Sequence, residues 1–558
     1  MLLATAVLAT ACGGAKSDDS AGSEDGGGST PAGWERPENG VETGLADAGE
    51  PVRGGRLVYA VEAESTAGYC LSEAQLAISG MMVVRAFYDT LTVPNAEGGY
   101  SPYLAESVTP NEDHTQWDIV LREGIEFHDG SPLTAEVVKN NLDAYRGVYP
   151  GRPSLLFAIM LQDIEQTEVV APLTVRVTTK RPWVSLPAFL YGSSRLGIMA
   201  QAQLDADAAG CANNPIGTGP FEFESWTVNQ KMTGTRNDSY WQIAPDGEPF
   251  PYADEIEFRP VPDNTVRLNS IRSGEINITH DGEGNKIVGP YTDLVNAGDA
   301  NMTMSDAQAE IGFMMLNHRM APFDDVRIRT AMARATDRQA LTDRLHAGVQ
   351  TVATGVFGED SIGYLEDAGF PEYDVEEARA LVDEYKAEGK DPSFTLLSTN
   401  DPITRTDAEG YRQRAAEVGI EITLRTVEQA TLIDNAIAGQ YQAMLFRNYP
   451  GGEPDQNYIW WYGEGNPVNF ARFDDPVINE ALRKGRSEPD EEERRELYEA
   501  IHQQMAQEVY YSYNWYVPWA VAEAANVHGI LGPDLPSGHA SSTRLGSAHP
   551  LHGVWISN

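Results

Sequence analysis

The run Phe394-Thr-Leu-Leu-Ser398, a helix to Val418, Ile420-Glu-Ile-Thr-Leu424, a helix to Ala438, and Tyr441-Gln-Ala-Met-Leu-Phe446 decides the fold. Short apolar strands alternate in it with amphipathic helices. That alternation specifies parallel strands joined by right-handed crossovers. A shorter unit of the same kind begins at Glu255-Ile-Glu-Phe-Arg-Pro-Val261. There Asp263 is expected to cap a helix carrying Leu268 and Ile271, Gly274 to stop it, and Glu275-Ile-Asn-Ile-Thr279 to follow as a strand. Gly55 to Glu64 reads as a further strand, with a helix over Gln75 to Phe87 after it. The chain therefore holds two α/β lobes.

Between Phe87 and Glu255 lies something different. Gln116-Trp-Asp-Ile-Val-Leu-Arg122 and Leu173-Thr-Val-Arg-Val-Thr-Thr179 alternate with period two. A helix from Thr134 places Val138, Leu142 and Tyr145 on one face. This stretch reads as an α+β insertion. Elsewhere Asp374 with Glu377, and Thr336 with Gln339, read as helix-capping boxes at core helices.

The N-terminus, Met-Leu-Leu-Ala-Thr-Ala-Val-Leu-Ala-Thr-Ala-Cys12, is an apolar run too short to span a bilayer, ending in small residues before a cysteine. It resembles a bacterial lipoprotein signal, with Cys12 the lipidated residue. Residues 13–52 are poor in apolar side chains and rich in Gly, Ser and Asp, the composition of a flexible tether. Setting Cys12 aside leaves Cys70 and Cys211, expected to form a disulfide outside the cytoplasm, with two separate buried thiols as the alternative.

The 558 residues include 83 Asp and Glu against 40 Lys and Arg, a formal charge of −43. That balance disfavours nucleic acid as a partner and suits a solubilising acidic surface. No metalloprotease His-Glu spacing, Gly-x-Ser-x-Gly elbow, phosphate loop or Cys-x-x-Cys is present. No enzyme activity, cofactor or metal is expected. A secreted hydrolase stays as a remote alternative, since paired carboxylates can be found among so many acids.

In parallel sheets, ligands collect at the carboxyl ends of strands. The rule points in one lobe to Glu64, Tyr69, His280 and Asp281. In the other it points to Ser398 and to Arg447, Asn448 and Tyr449. Trp460 and Trp461 follow the last strand and either fill a core or pave a pocket wall.

Several stretches together resemble the family 5 extracellular solute-binding proteins: Gly-Gly-Arg-Leu57, Tyr103-Leu-Ala-Glu-Ser107, Leu121-Arg-Glu-Gly-Ile-Glu-Phe-His-Asp-Gly130, Pro215-Ile-Gly-Thr-Gly-Pro-Phe221, Arg236-Asn-Asp-Ser-Tyr-Trp241 and Pro322-Phe-Asp-Asp-Val-Arg327. They occur in the family's order over about residues 53–525. The resemblance implies a two-lobed clamshell of the type II periplasmic-binding-protein class with an extra α+β domain in its first lobe. Lobe I would be 53–92, 213–312 and 515–558, the insertion 93–212, and lobe III 313–514. The hinge would run through Gly312–Asn317 and Tyr513–Tyr516.

The implied role is the substrate-binding component of an ABC importer, a lipid-tethered monomer outside the cell membrane that hands a small solute to a permease. A short peptide is the expected ligand, with an oligosaccharide or a metal chelate as the alternative, and sensing rather than uptake as another use of the same lobes. Peptide-binding relatives place an aspartate where Pro450 stands here. Glu453, or Asp455 beside it, would have to take that part. Arg405 falls where some relatives hold a ligand carboxylate, unless Asp401 or Asp407 pairs with it.

Overall fold

The structure is a computed structural model that describes residues 49–557 apart from 66–67, 75, 155, 306–309, 449–451 and 543–548. The lipidation expectation for Cys12, most of the tether, and Tyr449 lie outside the described residues.

Two sheets organise the chain. The first runs, edge to edge, through Ala300–Ser305, Trp519–Ala524, Ile278–Asp281, Arg56–Val61, Glu255–Pro260, Lys231–Arg236 and Phe221–Thr227. Its three central strands are parallel, and the outer ones are antiparallel. One face packs under the helix Asn264–Arg272, with Leu268 and Ile271 against Val58 and Ala60. Asp263 caps that helix by accepting from the Thr265 and Val266 amides, as its short polar side chain favours. The other face holds Leu57 and Tyr59 against the buried helix Ile78–Phe87.

The second sheet has the order Ile422–Val427, Phe394–Thr399, Ala443–Asn448, Ile311–Leu316, Tyr511–Tyr516. The first three strands are parallel and the last two antiparallel. Met314, Leu316 and Leu396 pack against Ile328, Val382 and Tyr411 from three helices. Asp374 caps the helix Val375–Ala387 through the Glu377 amide. The Thr336 box does not form. Its hydroxyl turns back to the Met332 carbonyl of the preceding helix, and Asp337 caps Arg338–His346 instead.

The insertion carries a four-stranded antiparallel sheet of Ala105–Pro110, Gln116–Leu121, Thr174–Thr179 and Ile164–Ala171. The helix Ala135–Tyr145 presents buried Val138, Leu142 and Tyr145, with Thr134 as its cap. A disulfide joins Cys70, just after the first strand of lobe I, to Cys211 at the end of the insertion.

The chain leaves the first sheet after Ser305 and enters the second at Ile311, and it returns from Tyr516 to Trp519. The expected crossings Gly312–Asn317 and Tyr513–Tyr516 fall almost wholly within strands of the second sheet, and the chain changes sheets at their outer ends. The Val517 amide of the second crossing donates to the Glu310 carbonyl beside the first at 2.9 Å.

The insertion docks on lobe III through a buried ionic cluster. Arg486, fully buried, donates to Asp455 and to Asp163, each at 3.1 Å. Its guanidinium lies over Tyr458 at 3.9 Å and Trp183 at 4.3 Å. Asp455 also accepts from the Trp183 indole and the Ser185 hydroxyl. The cation is thus enclosed by two carboxylates and aromatic faces, the environment in which a buried guanidinium stays charged.

Candidate ligand cleft

The carboxyl ends of the parallel strands of both sheets converge beside the hinge, and one ion pair spans the gap. Arg447, from the strand Ala443–Asn448 of lobe III, reaches Glu62, the residue after Arg56–Val61 of lobe I, at 2.9 Å. A second carboxylate, Glu310 on the crossing segment, lies 3.6 Å from the same guanidinium. Glu310 is itself held by the Trp519 indole N–H at 2.6 Å, and Arg447 sits over the Trp519 ring at 5.5 Å. Burial alone would raise the Glu62 carboxyl, but Arg447 overrides it and brings the pKa down to about 2. Glu310 is raised by burial, a shift that Arg447 only partly offsets. Arg447 is pushed above the usual guanidinium range by Glu62 and Glu310 against its own desolvation.

The floor belongs to lobe I. Asp281 and Arg267 form a buried pair at 3.1 Å. Asp281 also accepts from the Glu283 amide. His280 is 1% exposed, and neither ring nitrogen has a partner. Burial lowers it to about 4, leaving a neutral imidazole packed edge-on to Trp519. Glu283 is raised to about 8 by burial and by its neighbour Asp281. Across the gap, Asp401 caps the helix Pro402–Glu417, and its charge reaches both Arg447 and Glu283. Gln350 of lobe III donates to the Gly282 carbonyl at 3.0 Å.

His280, Asp281, Arg447 and Asn448, expected from strand ends, come together here. Asn448 is half-buried opposite Ile311. Ser398 lies at the end of its strand, fully buried, its hydroxyl without a partner. Glu64 is half-buried and accepts from the Trp226 indole and the Asn229 amide. It pins the loop to a hairpin and lines a small cavity with Tyr69, Val61 and Phe258. Tyr69 is buried edge-on to Trp226.

Four further expected site residues go elsewhere. Glu453 pairs with Arg494 and caps the turn Pro454–Asn457, so its charge is taken. Trp461 is a core residue, 2% exposed against Phe357, while Trp460 is half-buried in a groove with Phe157, Met160 and Gln456. Arg405 is exposed and, among the described residues, pairs with neither Asp401 nor Asp407.

The cleft also contains groups that were not expected. Glu62 is the first residue past a strand end and is reachable by the same rule that selected Glu64. Glu310, Trp519 and Gln350 depend on where the chain crosses between sheets, which no local pattern encodes.

This geometry defines a class: a two-lobed binding protein with a charged cleft beside a double-stranded hinge. The comparisons with known proteins agree with it. The family model for bacterial extracellular solute-binding proteins, family 5 (middle region), matches residues 99–470, so the chain belongs to that family, whose members are the solute-binding components of ABC importers. The glutathione-binding protein GsiB of Salmonella typhi is 27% identical over 463 residues, 80% of this chain and 85% of that protein. The fold matches the Bacillus subtilis oligopeptide-binding protein AppA, solved with a nonapeptide, with a TM-score of 0.78 at 20% identity over 91% of this chain and 100% of that one. It also matches AgaA from A. tumefaciens R10, solved with agropinic acid, with a TM-score of 0.77 at 24% identity over 90% and 99%. The matched structures are two-lobed periplasmic binding proteins, so the architecture is the type II clamshell. Among the described residues no helix is long and apolar enough to cross a membrane.

Proposed function

We propose that the chain is a lipid-anchored, monomeric receptor that captures a short peptide between its lobes and hands it, unaltered, to an ABC permease. The observation that carries the reading is the Glu62–Arg447 pair, which links the two lobes directly across the cleft beside the two crossings. A ligand that touches both lobes favours the closed arrangement, because only there are both sets of contacts made. The peptide-binding fold neighbours and the glutathione-binding relatives support a peptide. In this reading lobe I is 53–92, 213–312 and 515–558, the insertion 93–212 and lobe III 313–514, and the lobes rotate where the chain changes sheets, after Ser305 and after Tyr516.

The test is native mass spectrometry of protein isolated from its own host without refolding, with collisional release of whatever is bound. Short peptides are the expected masses. A single sugar or metal chelate would replace the peptide reading and leave the importer role in place.

A further inference from the structure

The cleft is richer in acceptors than in donors. At the gap stand three carboxylates, Glu62, Asp281 and Glu310, against two guanidiniums, with Asp401 at a helix cap on the lobe III side. Arg267 is committed to Asp281, so Arg447 alone serves Glu62 and Glu310.

A second observation is independent of charge. Gln350 is 4% exposed, and its Oε1 has no donor. Because its Nε2 donates to the Gly282 carbonyl, which can only accept, the amide orientation is fixed and the free atom is an acceptor. A Cβ at Gly282 would stand 3.4 Å from Arg447 Nη1, so Gln350 adjoins the same gap. His280, a neutral imidazole, adds one buried ring acceptor without a partner, its other nitrogen carrying the N–H, beside the indole over which Arg447 lies. A guest that supplies N–H donors and positive charge completes these groups, whereas an anion meets like charge in a partly dehydrated site.

We infer that the ligand recognised beside Glu62, Glu310 and Gln350 carries a cationic nitrogen, an ammonium or guanidinium with net positive charge, and that Arg447 holds the place which this cation shares. The inference rests on the peptide reading and narrows it. It separates this cleft from relatives whose ligand is glutathione, an anion at neutral pH.

Calorimetric titration of the full chain with lysyl-leucine, alanyl-leucine, putrescine and glutathione tests it. Lysyl-leucine is expected to bind about tenfold more tightly than glutathione, with alanyl-leucine between them. Arg447→Met should widen the preference for the cations, since the carboxylates lose their internal partner. Glutathione binding as tightly as lysyl-leucine, or Arg447→Met weakening lysyl-leucine and putrescine, would overturn the inference and leave the peptide reading intact. No binding of any of the three peptides, together with a non-peptide released from the native protein, would overturn both.

Discussion

Lobe III meets the rest of the molecule in two places built on opposite principles. At the insertion, Arg486 is fully buried between Asp455 and Asp163 and enclosed by aromatic rings. In the cleft, Arg447 is 40% exposed and Glu62 24%, so their pair is open to water and screened. Both are cross-lobe ion pairs with unremarkable distances. Only the first is costly to break, because removing one partner strands an uncompensated buried charge. The difference suits a receptor that must exchange its ligand: the fastening lies away from the cleft, and the contact a ligand replaces is weak.

The largest effect should follow from breaking the buried cluster. Arg486→Met is expected to cost about 3–5 kcal/mol in denaturant unfolding, since Asp455 and Asp163 lose their shared cation. A cost below about 1 kcal/mol would mean that the insertion interface is wet and that the contrast fails. Next in size is the disulfide. The Cys70→Ser, Cys211→Ser double variant closes no loop in the unfolded chain and should lose about 2–4 kcal/mol, read as a shift in unfolding midpoint. Smaller still, Glu62→Gln should cost about 1–2 kcal/mol at neutral pH, the depressed carboxyl being discounted for the solvent screening of a partly exposed pair, while altering ligand preference.

The pH dependence of Glu62 sharpens the same contrast. Its folded pKa, about 2, lies below the ordinary value of 4.5, so its contribution is fully present above 4.5 and is lost as pH falls from there toward 2. Wild type and Glu62→Gln should therefore converge in unfolding midpoint over that window. Curves that stay parallel down to pH 2 would show that Glu62 is not paired in the folded protein.

The lobes were legible because strand ends, caps and apolar stripes are local: Asp263, Asp374 and Thr134 cap where their spacing indicates. Arg447, His280 and Asp281 were reachable from the strand-end rule. Glu310 and Gln350 were not, since each acquires its role only when distant segments meet at the hinge. Glu453 and Trp461 look like cleft residues in sequence because they follow the right strand. Arg494 and Phe357, brought in from about forty and a hundred residues away, commit them to the interior.

Capture of a solute by closure of two lobes about the crossings that follow Ser305 and Tyr516 would show in the interlobe distance. Spin labels at the exposed Gln230, in the edge hairpin of lobe I, and Thr423, in the edge strand of lobe III, report it by pulsed electron resonance. Stripped protein should give a broad distribution that narrows and shortens when the solute released from native protein is added back. An unchanged distribution with that solute bound would contradict it.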